Sequence, residues 1–101
     1  MALVYHFEWD AVKARSNAAK HGITFRLATT VFRDPLALTI FDEEHSENEE
    51  RWVMLGRAEN GQYLVVIHTV RHTSPSDMTV RIISARVADR DEVRDYQETP
   101  R

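Results

Sequence analysis

Residues 24–40 read TFRLATTVFRDPLALTI, and the hydrophobic period changes in the middle of them. Phe25, Ala28, Val31 and Phe32 recur at helical spacing, which predicts a helix capped by Thr24. Asp34-Pro35 ends it, because a proline pushes the residue before it out of the helical region. Beyond the proline, Leu36, Leu38 and Ile40 alternate, as in a strand that faces a core. The chain therefore turns from helix to sheet at this point.

Upstream, Val4–Trp9 reads as a first strand. Asp10 is a good N-cap and Gly22 a good terminator, so a helix is expected over 11–21. Downstream, the acidic stretch 42–50 reads as a loop and Trp52-Val53-Met54-Leu55 as a strand. Glu59-Asn60-Gly61 carries the Asn-Gly pair favoured in hairpin turns. Tyr63–Val70 is strongly β-forming, Ser74-Pro75-Ser76-Asp77 is a turn, and Thr79–Arg86 is another strand. Asp89 with Glu92 three residues on can cap a short C-terminal helix, whose large apolar residues are Val93 and Tyr96 alone, so that it frays or needs a partner. The order gives an α+β fold. An N-terminal strand and two helices pack on a four- to five-stranded antiparallel sheet, followed by a short C-terminal helix.

A chain of 101 residues with 43% hydrophobic content makes one folded domain, 1–101. Without cysteine, a disulfide scaffold and a thiolate metal site are both excluded. No apolar run approaches the roughly 20 residues of a membrane span, and the N-terminus has no signal-peptide pattern, so the cytoplasm is the expected location. A net charge of −3 disfavours nucleic-acid binding by the molecule as a whole. The charge is uneven, however. Residues 1–34 are locally basic, whereas acids concentrate in Asp42–Glu50 and in the last 13 residues.

Lys13, Asn17, Lys20 and His21 share one face of the first helix. That face is either an ordinary solvated one or a cationic ridge that holds a phosphate, with His21 beside it. In Arg81–Arg86, strand alternation puts Arg81 on one face and Arg86 on the other. A regular strand cannot bring both to one site, although a bulge would. Each arginine is either an ion-pair anchor for Glu8, Asp10 or Glu50, or a bidentate phosphate ligand, with Arg81 preferred for the second role. His45, Glu49 and Glu50 make a weak metal set and a better acid–base set for RNA cleavage. Glu50 and Arg51 can equally form a structural ion pair. Trp9 and Trp52 can stack on bases, or anchor the sheet.

In order, FEWD at 7–10, Lys13, Asn17, KHG at 20–22, Phe25, Ala28, Phe32, Asp34-Pro35, His45-Ser46, EERW at 49–52, Gly56 and RIISAR at 81–86 resemble the BrnT family of bacterial type II toxins. No one of these motifs is specific; the ordered set is. The resemblance implies a RelE/ParE-like fold and a metal-independent endoribonuclease that needs no cofactor and slows translation by cutting RNA. On this sequence it implies catalytic roles among His21, Glu50, Arg51, Arg81 and Arg86. Lys13, Asn17, Lys20, Trp9 and Trp52 would bind RNA or its phosphates. It also implies a BrnA-like antitoxin with a ribbon-helix-helix part, operator DNA bound through that antitoxin, and a toxin dimer within a hetero-oligomer. The tail departs from the family pattern: acids stand at 89, 91, 92 and 95 where family members often carry a basic segment. Two alternatives follow from the residues: a non-catalytic binding module of the same fold, and a metal-dependent hydrolase built on His45 and Glu49.

Overall fold

Asp10 starts the first helix through its side chain. Its carboxylate accepts the backbone N–H groups of Val12 and Lys13 at 2.8 and 3.0 Å. Those donors, Lys13 first, hold the carboxyl below its ordinary range. Helix α1 then runs Ala11–His21 and ends at Gly22, whose φ of 70° is left-handed. Thr24 caps α2, Phe25–Thr29, by accepting the Leu27 N–H, and the chain continues in a tight turn, Thr30–Arg33. The computed structural model describes residues 3–100. Its strands are β1 Val4–Glu8, β2 Leu38–Phe41, β3 Glu50–Arg57, β4 Tyr63–Ser74 and β5 Asp77–Val87, and α3 follows at Arg90–Glu98.

The sheet order is β1-β5-β4-β3-β2. Strands β2 to β5 form the expected antiparallel meander. Strand β1 joins beside β5 and runs parallel to it, from Val4 opposite Asp77 to Glu8 opposite Arg81. The sheet is therefore mixed and not wholly antiparallel. Alternation reveals which side chains share a face, but it carries no information about the direction of a distant partner strand.

One face is covered by α2 and the turn after it. Ile23, Phe25, Ala28 and Val31 pack there against Leu64, Val66, Val80, Ile82 and Ala85. Gly56 lets this layer approach closely, since a Cβ there would lie 2.7 Å from Val31 Cγ1. Helix α1 lies along the free edge of β5, beyond the end of β1. Asn17 fixes it there: its amide Nδ2 donates to Ile23 O and Ala85 O, and its Oδ1 accepts from Ala85 N. One side chain thus pairs both backbone groups of Ala85, as a neighbouring strand would.

Helix α3 is held rather than frayed. It has a complete capping box between Asp89 and Glu92. Tyr96 donates to Asp34 Oδ2 at 2.7 Å and packs edge-on against Tyr63. The same Asp34 oxygen accepts the Arg57 N–H, which ties α3, β3 and the helix-to-strand junction together.

Candidate functional site: the uncovered face of the sheet

Ile67 pairs with Ser84, whereas the next residue, His68, pairs with Ile82. Ile83 is therefore an extra residue, a β-bulge in β5. It reverses the alternation beyond that point and places Arg81 and Arg86 on the same face. Through the register of the other strands, that face also carries Arg51, Arg57 and Arg71. Every arginine of the strands stands there, opposite the face that carries α2, while α3 is tied to one end of this face through Arg86 and Glu92.

Across this face, Glu8, Arg81, Thr69 and Arg51 form one row over four adjoining strands. Arg51 and Arg81 are two strands apart, roughly 10 Å, a span that two guanidinium groups can close on one phosphodiester. Glu8 Oε1 lies 3.5 Å from Arg81 Nε and 3.7 Å from Arg71 Nη2. Thr69 donates to Glu49 Oε2 at 3.3 Å. Arg51 Nε is 4.0 Å from Asp42 Oδ2. Both Glu8 Oε1 and Arg51 Nε are shut off from solvent without a hydrogen-bond partner, and such groups are costly unless a ligand completes them. A cleft of about 350 Å3 opens beside Arg51, lined by Glu44, His45, Glu49 and Thr69 among others. His45 bonds Asp42 at 2.9 Å. Among the described residues no group of three or more metal-ligating side chains is assembled.

Lys13, Lys20 and His21 line a shallow cleft of about 200 Å3 with Ile83 and Ser84, at the edge of this same face. Asn17 shares their helix face by spacing, yet it is buried, and both its N–H donors and its oxygen are taken by backbone. The expected phosphate ligand is instead a structural bridge. Arg86 points to the right face, but both arms of its fork bond Glu92, at 2.7 and 2.8 Å. That bond pulls the Glu92 carboxyl down to about 2 and raises the Arg86 pKa.

Three expected site residues lie elsewhere. Glu50 pairs with Val70 on the helix-bearing face, 3.9 Å from His72, so strand alternation separates it from Arg51. Trp52 shares that face and packs on Phe41. Trp9 packs edge-on against Phe25. Neither tryptophan flanks the arginine row. His68 is buried on the helix-bearing face against Phe32, and burial lowers its pKa to about 4, which keeps it neutral.

The row brings in residues that the sequence did not single out for chemistry. By sequence Glu8 is an ion-pair partner for an arginine, and Thr69 and Arg71 belong to no motif. His6 lies on the same strand face, two residues before Glu8, with Nε2 2.8 Å from Asp77 Oδ1. Hydrogen bonds from Ser74 and then His6 hold the Asp77 carboxyl below its ordinary range. The signal that unites these residues is strand register, which no local motif carries.

A small α+β domain that gathers its strand arginines on one sheet face has the local charge that a polyanion would meet. Residues 9–92 match the family described as the ribonuclease toxin, BrnT, of type II toxin-antitoxin systems. The chain belongs to the BrnT family, and a protein antitoxin goes with a toxin of this type. Its fold is similar to that of the crystal structure of the Brucella abortus ribonuclease toxin, BrnT. The likeness has a TM-score of 0.56 at 22% identity, over 89% of this chain and 99% of that one. Among curated proteins, no relative matches the sequence. No helix of the described residues is long and apolar enough to cross a membrane.

Proposed function

We propose that the chain is a metal-independent endoribonuclease that slows translation in the cytoplasm by cutting RNA, and that its site is the Glu8–Arg81–Thr69–Arg51 row. The observation that carries this reading is the row itself, in which a buried Glu8 oxygen and a buried Arg51 nitrogen lack a hydrogen bond and are met only by opposite charges at 3.5 to 4.0 Å. Arg51 and Arg81, joined by Arg71, grip the scissile phosphate and stabilise the charge that builds on it. The Glu8 carboxylate takes the 2′-OH proton. The 2′-oxygen attacks phosphorus, the bond to the 5′-oxygen breaks, and that oxygen leaves with a proton, for which His6 is the nearest histidine on the same strand face. Lys13, Lys20 and His21 border the face and guide the flanking strand.

The partner in this reading is a BrnA-like ribbon-helix-helix antitoxin, and the complex binds and regulates its own operator. The deciding experiment is cleavage of a labelled RNA in excess EDTA. Arg81→Ala, Arg51→Ala and Glu8→Gln should each lose about 100-fold or more while remaining folded. Cleavage by Arg81→Ala at the native rate would sink the site, and loss of native activity on chelation would sink the metal-free mechanism.

A second reading, a binding module of the same fold without chemistry, draws support from Glu92, which occupies the Arg86 fork as a phosphate would. A folded native chain that binds antitoxin but cuts neither free nor ribosome-bound RNA would favour it.

A further inference from the structure

The helix-bearing face is only half covered. Helix α2 and the turn after it pack over β5 and the end of β3, and Phe32 marks their border. Beyond Phe32, a groove of about 240 Å3 runs across β4 and β3, lined by Tyr5, Trp52, Met54, Val70 and Met78. Its rim carries Glu50 and His72, and its lining contains no lysine or arginine. Glu50 ends the acidic stretch that begins at Asp42, whose Glu44, Glu47 and Glu49 turn instead to the Arg51 cleft on the other face. Phe41, 39% exposed, extends the apolar surface toward the β2 edge.

We propose that this groove is the docking site of the antitoxin, and that its occupant is an amphipathic helix with an apolar stripe flanked by lysine or arginine. The inference rests on the toxin–antitoxin reading above. Three observations choose the occupant. The sheet sorts its charge, with all strand arginines on the other face, so an RNA strand has no cation to meet here. The groove lies on the face of the sheet and not along an edge, which suits a helix, as α2 already shows on the other half. The rim carries the Glu50 carboxylate, which complements a basic flank. The incoming helix completes the layer that α2 begins and anchors on Trp52, Met54 and Met78, residue types that serve as adaptable and tight contacts.

The test uses the chain together with a BrnA-like antitoxin of the kind proposed above. Tyr5→Lys, at an exposed position, and Met54→Lys should each weaken the complex at least 10-fold, with RNA cleavage by the free chain retained. Arg81→Ala, on the opposite face, should leave the complex intact. A second readout needs no variant: Met54 and Met78 of the native chain should be oxidised by peroxide when free and protected in the complex. Native affinity in both groove variants, or methionines equally oxidised with and without antitoxin, overturns the proposal. Methionine protection that grows with concentration of the chain alone also overturns it, by assigning the groove to a second copy. Failure of the native chain to bind the antitoxin at all would instead sink the toxin–antitoxin reading, and this inference with it.

Discussion

At the scale of single residues, spacing and environment part company at Asn17. Its place at i+4 from Lys13 put it on a basic ridge, yet that ridge turns at Asn17 toward the β5 edge. Helical period assigns a face but not what the face meets, so an amide that bridges backbone looks the same in sequence as one that waits for phosphate. The two roles differ in what substitution does. Asn17→Ala strands the carbonyls of Ile23 and Ala85 and the Ala85 N–H in a buried place. The expected cost is about 3 kcal/mol, or a fall in Tm of more than about 10 °C in a thermal melt. Weaker RNA binding with an unchanged Tm would return Asn17 to the site. Glu50 and Arg51 make the same point from the other side. Adjacent in sequence, they stand on opposite faces of β3, and of the two Arg51 alone lines the cleft.

At the scale of elements, the sequence made most of the fold legible. The caps Asp10, Thr24 and Asp89, the break at Asp34-Pro35 and the Asn-Gly turn each fix a boundary through local chemistry. Two features stayed hidden because they are relations between distant strands: the parallel pairing of β1 with β5, and the bulge at Ile83. The bulge decides whether Arg81 and Arg86 share a face, and no residue type in RIISAR announces it. Helix α3 was legible in its capping box but not in its anchorage, since Tyr96 reaches back 62 residues to Asp34. Its grip through Glu92 predicts a pH dependence. The carboxyl titrates near 4.5 when unfolded and about 2 when folded, so the stabilisation is full above about pH 4.5 and is lost as pH falls toward 2. Because the Arg86 side chain is 42% exposed, solvent screening leaves about 1 kcal/mol of it. The Tm difference between the native chain and Glu92→Gln should therefore be present at pH 6 and vanish near pH 2. A difference that persists at pH 2 would assign the effect to packing and not to charge.

At the scale of the whole molecule, a net charge of −3 conceals a sheet that sorts its charges by face. Overall composition argues against nucleic acid, and the strands answer it only locally: their arginines share one face, although the acidic loop at Asp42–Glu50 borders that face beside Arg51. With about three phosphate contacts from Arg51, Arg71 and Arg81, the affinity for single-stranded RNA should fall with a log–log salt slope near −2, and Arg51→Ala should lessen the slope by about 0.7. A slope near zero, measured by titration at several salt concentrations, would mean that RNA is not held by this face. The parallel pair carries one more consequence, concerning time. Glu8 gains its place beside Arg81 only when β1 pairs with β5, and the register sets Val4 against Asp77, 73 residues later. At synthesis speeds of roughly 5–20 residues per second, the first strand waits on the order of 4–15 s for its partner to be made. On the proposed reading, a chain whose row joins its first strand to its last stays harmless to the ribosome that is building it until that work is nearly done.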